Sequence, residues 1–210
     1  SEYLSPLDTP AIDSISVESS ASEKPVYICV TTHDNEPEPT YYKWSYREIW
    51  EFNADLFANA GYLNDKFYMF ERHTSQNTYY CWGRDSSKVM LLATTDKLTE
   101  NLIYEKKLIE IPRDHDKLKI LYYIEVKQNR IRKGAYAYFE NMQRNIEQAG
   151  SIFSPIPAEM RGNIVCVSDP KEWVLGYVDV TNTTIMKRFM PELRDLYQAS
   201  YDCAKNIFTG

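Results

Sequence analysis

Glycine is scarce, with 7 residues in 210, and histidine scarcer still, with 3. A chain so poor in glycine, yet carrying 17 Tyr, 8 Phe and 4 Trp, is not a low-complexity or disordered one. No stretch approaches the ~20 apolar residues of a membrane-crossing helix. Val89-Met90-Leu91-Leu92-Ala93, among the longest apolar runs, has only the length of a buried strand. The 4 cysteines (Cys29, Cys81, Cys166 and Cys203) are far apart and never spaced CxxC, which leaves zinc-knuckle and thioredoxin-type chemistry without support. Glycine-rich phosphate loops, HExxH, GxSxG and EF-hand loops are absent as well. Basic residues are outnumbered 24 to 30, giving a formal charge of −6. That balance argues against a nucleic-acid partner, whose phosphates need Lys and Arg.

What is present reads as β structure. Aromatic and β-branched side chains suit a pleated, half-buried surface. Ile12 to Val17 is a short extended segment, and Pro25 opens a second strand with Val26, Ile28 and Val30 on one face. The most informative segment follows. Tyr42, Trp44, Tyr46, Trp50 and Phe52 alternate onto one face, while Lys43, Ser45, Arg47 and Glu51 take the other. Period two over ten residues marks a half-buried strand, and only Glu48 interrupts its aromatic face. Asn53 to Tyr80 reads as a long excursion. Strand character resumes at Cys81-Trp82, at Val89 to Ala93, and over Leu118 to Val126.

The period then changes to helical. Ala135, Phe139, Met142, Ile146 and Ala149 define an apolar stripe, and Gly150 stands where a terminating glycine belongs, so a helix is expected over about 133–149. Asn163 to Val167, Trp173 to Val180 and Thr184 to Met190 read as three more strands, and Pro191 can open a short terminal helix. Many strands and one helix predict a mainly β fold: an antiparallel immunoglobulin-like β-sandwich with one packed α-helix. It would occupy 1–190, with 191–210 as a tail or short helix. Trp44, Trp50, Tyr122, Ile124, Val126 and Phe139 are the expected core.

Candidate chemistry is thin. Glu48 among Trp44, Tyr46 and Trp50 could have a raised pKa and act as a general acid. With no second carboxylate to set opposite it, a buried carboxylate satisfied by an Arg or a Tyr hydroxyl is the better reading. The aromatics invite sugar binding, yet alternation on one strand face is what a sandwich core looks like. Tyr41, Tyr62, Tyr68, Tyr79 and Tyr80 are better candidates for exposure, and nothing in the sequence groups them. Scattered cysteines fit an exported protein with disulfides or a cytosolic one with buried thiols equally well. Ser1-Glu2-Tyr3-Leu4 has neither a basic nor an apolar signal region, so any export signal is expected to have been removed or to lie outside these residues.

A family resemblance adds to this. Tyr41-Tyr42-Lys43-Trp44-Ser45-Tyr46-Arg47-Glu48-Ile49-Trp50-Glu51-Phe52 is followed by Cys81-Trp82 and Tyr123-Ile124-Glu125-Val126-Lys127-Gln128. Ala135-Tyr136-Ala137-Tyr138-Phe139, Gly150 to Pro157, Gly162 to Cys166 and Val174-Leu175-Gly176-Tyr177 continue the series. In that order and at those separations they resemble the Bacteroidota lipoproteins catalogued as domain of unknown function 4249, from about Tyr3 to Phe189. Such proteins carry a lipoprotein signal and a preceding small β-domain, and often lie beside genes for TonB-dependent outer-membrane transporters. The resemblance implies that this chain is the second, C-terminal domain or a processed fragment, whereas the stretch after Met190 departs from the pattern.

It further implies a non-catalytic cell-envelope domain, held at the outer membrane by a lipid anchor outside these residues. There it would be an accessory or ligand-presenting subunit of a TonB-dependent transporter. The alternative is a free-standing surface module that binds a glycan or peptide through exposed aromatics. No catalytic, cofactor or metal residue is assigned. An extracytoplasmic location lets disulfides persist, and Cys81 and Cys166 lie in the motifs that carry the resemblance, so a Cys81–Cys166 bridge is implied. Asp13-Ser14-Ile15 resembles the short O-glycan acceptor pattern of exported Bacteroidota proteins, which makes Ser14 a candidate modification site.

Overall fold

The computed structural model describes residues 5–20, 24–54, 60–69, 79–148, 162–169, 171–172 and 174–199. Among these residues the ladders build two larger antiparallel sheets and a separate two-stranded one. The first contains β1 (Ser14–Glu18), β2 (Val26–His33) and β8 (Leu102–Ile111), in the order β1-β2-β8. The second runs β10-β9-β3-β6, from β3 (Tyr41–Asn53), β6 (Tyr80–Ser86), β9 (Leu121–Arg130) and β10 (Thr183–Phe189). β7 (Leu91–Thr94) pairs the first residues of β3, beyond the point where β6 leaves off. Relabelled along the chain, these orders are A-B-E and G-F-C-C′, the arrangement of an immunoglobulin-like sandwich. The expected fold class is borne out.

The inner faces follow from the alternation in the sequence. Val26, Ile28 and Val30 of β2 face Tyr42 and Trp44 of β3 and Tyr122, Ile124 and Val126 of β9, all buried in one core. A polar link joins the sheets at one end. Trp44 Nε1 donates to Gln128 Oε1 at 2.8 Å, and Gln128 Nε2 donates to Thr32 Oγ1 at 3.0 Å and to the Pro10 carbonyl at 2.9 Å. Each amide atom of Gln128 therefore has a partner, as a buried amide requires.

β8 is a strand that period-two reading does not find. Glu105 has φ 46° and its N–H donates to Thr31 Oγ1, while the β2–β8 register slips between Ile28 and Cys29 and again between Val30 and Thr32. Each bulge shifts the parity, so buried Ile103, Leu108, Ile109 and Ile111 do not alternate in sequence. The excursion after β3 also contains structure: a hairpin of β4 (Ala60–Leu63) and β5 (Lys66–Met69). Its two-residue turn, Asn64 (φ 51°) and Asp65 (φ 58°), has the left-handed pair that a type I′ turn requires.

The helix α1 (Lys133–Gln148) forms where the stripe placed it. Ala135 and Tyr138 are its buried residues, Phe139 is only half-buried under the Lys43 ammonium at 4.1 Å, and Ile146 is exposed. The expected burial of Phe139, like that of Trp50, is thus partial. Asp179 sits at the start of α1, where its carboxylate accepts from the Arg132 N–H at 2.9 Å and pairs with the Arg132 guanidinium. The strands expected over 163–167 and 173–180 are not formed among their described residues. Asn163 instead binds Val178 through both its side-chain oxygen and its amide, and a bridge pairs Leu7 with Thr181. A 3-10 helix, Pro191–Leu196, buries Leu193 in the core.

Candidate functional site

Two places gather the residues that the sequence singled out. The first is the end of the core around Glu48, which is 1 % exposed. Tyr122 reaches it because β3 and β9 pair Glu48 with Ile124, which sets Tyr122 diagonally opposite on the same inner face. Lys117 reaches it from the 3-10 turn Asp116–Leu118 in the β8–β9 connection. Lys117 Nζ donates to Glu48 Oε1 at 2.5 Å, and the Tyr122 hydroxyl donates to Glu48 Oε2 at 2.5 Å. The ammonium also lies 4.9 Å from the centre of the Trp50 ring, and His115 meets that ring edge-on at 6.1 Å. Both carboxylate oxygens are occupied, and the partner cation is itself only 12 % exposed.

This is a closed ion pair holding a loop against the end of the sandwich. A Tyr hydroxyl was one of the two partners the sequence left open, the other being an Arg; the cation is a lysine from an irregular turn, for which periodicity gives no signal. Burial, then the Glu48 charge, hold the Tyr122 phenol well above its ordinary pKa. Tyr46 nearby is pushed up to about 12 for the same two reasons in the same order.

The second place is the outer face of the second sheet. On β3 the odd-numbered residues point outward, and α1 covers their beginning: the Tyr41 and Tyr136 rings lie 5.3 Å apart and Lys43 caps Phe139. Toward the other end, about 26 Å along the strand from Tyr41 to Ile49 at ~3.3 Å per residue, the face is open. There the ladders bring Phe189, Tyr123, Ile49 and Arg84 into one row, and Trp82 stands one position further, opposite Glu51. Phe189 is 63 % exposed, Ile49 43 % and Trp82 63 %, and the Phe189 and Tyr123 rings lie 4.8 Å apart. The next row is ionic. Glu125 is buried beneath Arg47 at 3.2 Å, Lys187 at 3.6 Å and Lys127 at 3.9 Å. An apolar row beside a charged rim is the anatomy of an interaction surface.

The tyrosines expected to be exposed do not make one platform. Tyr62 shares a face of the β4–β5 hairpin with Phe67 and Met69, Tyr68 takes the opposite face with Gly61, and Tyr79 and Tyr80 meet edge-on at 5.3 Å beside β6. Tyr41 lies at the far end of the sheet, against α1.

The implied Cys81–Cys166 bridge is not formed. The separation explains it. Cys81 pairs with Phe52 at one end of β3, whereas Cys166 lies three residues from Asn163, in the segment bonded to Val178 near the start of α1. Arg130, just before α1, pairs with Tyr42. From Tyr42 to Phe52 is about 33 Å along the strand, and a disulfide needs Cα atoms within about 7 Å. Cys166 Sγ instead lies 3.2 Å from Ser168 Oγ and 3.2 Å from Glu172 Oε2. Cys203 lies outside the described residues.

Ser14 is exposed at the start of the edge strand β1. Asp13 beside it is 2.8 Å from His33 Nδ1, a hydrogen bond that, with the carboxylate charge, raises the imidazole pKa. Among the described residues no group of three or more His, Cys, Asp or Glu is placed to hold a metal ion, and no helix is long and apolar enough to cross a membrane.

No curated protein and no solved structure matches the chain. The family model described as Domain of unknown function (DUF4249) matches residues 1–186, and the chain belongs to that family.

Proposed function

We propose that this sandwich is a non-catalytic binding domain of the cell envelope. It docks on a protein partner through the open end of its outer sheet face, and the partner is a TonB-dependent outer-membrane transporter, to which it is an accessory or ligand-presenting subunit. The observation that carries the docking surface is the row Phe189–Tyr123–Ile49, exposed at Phe189 and Ile49 and half-buried at Tyr123, with exposed Trp82 beside it. Large apolar side chains set together on a sheet face lose water favourably when a partner covers them. The transporter, the lipid anchor and the Bacteroidota envelope come from the family resemblance alone. With the implied bridge absent, the cysteines lend the location no support.

The occupancy of Glu48 supports the non-catalytic reading. A general acid must reach its substrate within hydrogen-bond distance, and both oxygens of this carboxylate are held by Lys117 and Tyr122. Glu48→Gln should therefore leave ligand or partner binding intact; a hydrolytic activity abolished by that substitution in a folded protein would overturn the reading. Modification of Ser14 is a separate proposal supported by its exposure. Intact mass of native protein equal to that of the bare polypeptide would dispose of it.

A second reading, a glycan- or peptide-binding module, is favoured by one observation. The β4–β5 hairpin presents Tyr62, Phe67 and Met69 together on one face, all largely exposed. Glycan and peptide arrays with the domain and with a Tyr62→Ser/Phe67→Ser variant test it: a hit lost in the variant supports it, and no hit refutes it.

A further inference from the structure

A cleft of about 480 Å³ lies between α1 and the turn that follows β7. That volume falls within the range of small-ligand sites, ~300–1,000 Å³. One stripe of the helix lines it, Lys133, Tyr136, Ala137, Glu140 and Arg144, and Thr94, Asp96, Lys97 and Leu98 face them from the turn. Tyr41 from β3 completes the wall beside Tyr136. We propose that this cleft binds a saccharide bearing a carboxylate, a uronate-containing glycan.

The Tyr41 and Tyr136 rings, tilted 52° to each other, form an angled aromatic wall, and either ring face is an apolar surface of the kind on which the C–H face of a sugar ring packs. Glu140, paired with Arg144 at 3.2 Å, and Asp96 supply oxygen acceptors for sugar hydroxyls. Lys97 and Lys133 line the same cleft and make no ion pair among the described residues. Two such ammonium groups suit a ligand that brings an anion. A neutral sugar would leave both lysines without a counter-charge. An acidic aspartate peptide would bring the anion but no sugar C–H face for the Tyr41 and Tyr136 rings. A phosphate would leave the aromatic wall without a role. The start of α1 plays no part, since Asp179 already occupies it.

This inference names a ligand class for the binding-domain reading and rests on it. The cleft and the apolar row lie at opposite ends of the sheet, so loss of one interaction leaves the other measurable. Calorimetric titration of the 210-residue chain with oligogalacturonate, oligoglucuronate, a neutral galactose oligomer and an oligoaspartate peptide tests it directly. Saturable binding is expected for at least one uronate oligomer. It should fall about tenfold or more in Lys97→Gln/Lys133→Gln, from the loss of charge-assisted bonds, and weaken with added salt. Both lysines are exposed, so the variant keeps its fold, which circular dichroism checks. Tyr136→Ala should abolish binding. No binding of either uronate, equal binding of the neutral oligomer or of the peptide, or unchanged affinity in the double lysine variant would each overturn the proposal.

Discussion

Glu48 and Lys117 are 69 residues apart in sequence, and their carboxylate oxygen and ammonium nitrogen are 2.5 Å apart in the fold. The pair ties the β8–β9 connection to the middle strand of the second sheet, and Tyr122 completes it from the neighbouring strand. Removing one partner leaves the other charge buried without compensation, which costs roughly 3–5 kcal/mol. Lys117→Met should lose stability on that scale in urea denaturation. Glu48→Leu/Lys117→Met, which removes both charges, should recover much of it. If both variants unfold alike, the pair is not an isolated electrostatic unit.

The buried phenols set an alkaline limit. Tyr42 and Tyr46 are each pushed up to about 12 by burial first, with Glu48 the next cause at Tyr46. A folded-state pKa above the unfolded value of about 10 means that the contribution is fully present below pH 10. It is lost as pH climbs through 12, because the unfolded chain releases its protons first. Urea midpoints measured across pH 8 to 12 should hold steady to about 10 and then fall. A constant midpoint to pH 12 would show that these hydroxyls ionise freely in the fold.

Much of the fold was legible, and the exceptions have identifiable causes. β3 shows its faces because its alternation runs unbroken around Glu48, and α1 shows itself by the change of period at Ala135. β8 was hidden because the bulge at Glu105 destroys the alternation on which recognition depends. Asn163 to Val167 has a strand's composition but pairs with no strand; Asn163 side-chain bonds hold it instead. At the site, the alternation singles out Glu48 and leaves an Arg or a Tyr hydroxyl open as its partner; Lys117, which comes from a short turn, gives no such signal. The row Phe189–Tyr123–Ile49 was invisible because its members belong to three strands and meet only through the ladder register.

Trp50 and Gly83 face each other across the β3–β6 ladder, and a Cβ on Gly83 would fall 2.1 Å from the Trp50 indole. Gly83→Ala must therefore displace that ring from Lys117 and the core edge. A loss of roughly 1–3 kcal/mol is expected, the usual scale of overpacking, with a red shift of tryptophan emission. Unchanged stability and emission would mean that the ring has room to move.

The thiols provide a check on the fold. Peptide mapping of unreduced protein should find no link between Cys81 and Cys166. In the native state Cys29, buried and with its pKa raised to about 11 chiefly by desolvation, should resist alkylation while Cys166 reacts. A Cys81–Cys166 linked peptide would overturn the arrangement of the 162–169 segment.

The most direct test of the central claim is quantitative capture from native outer membranes. The domain and an Ile49→Ser/Trp82→Ser/Phe189→Ser variant, matched for folding by circular dichroism, are each used as bait, and TonB-dependent transporters in the eluates are measured by mass spectrometry. The account expects a transporter enriched with the unmodified domain and reduced at least about tenfold with the variant, as loss of central apolar anchors does to an interface. A transporter absent from both eluates, or retained equally by the variant, would contradict it.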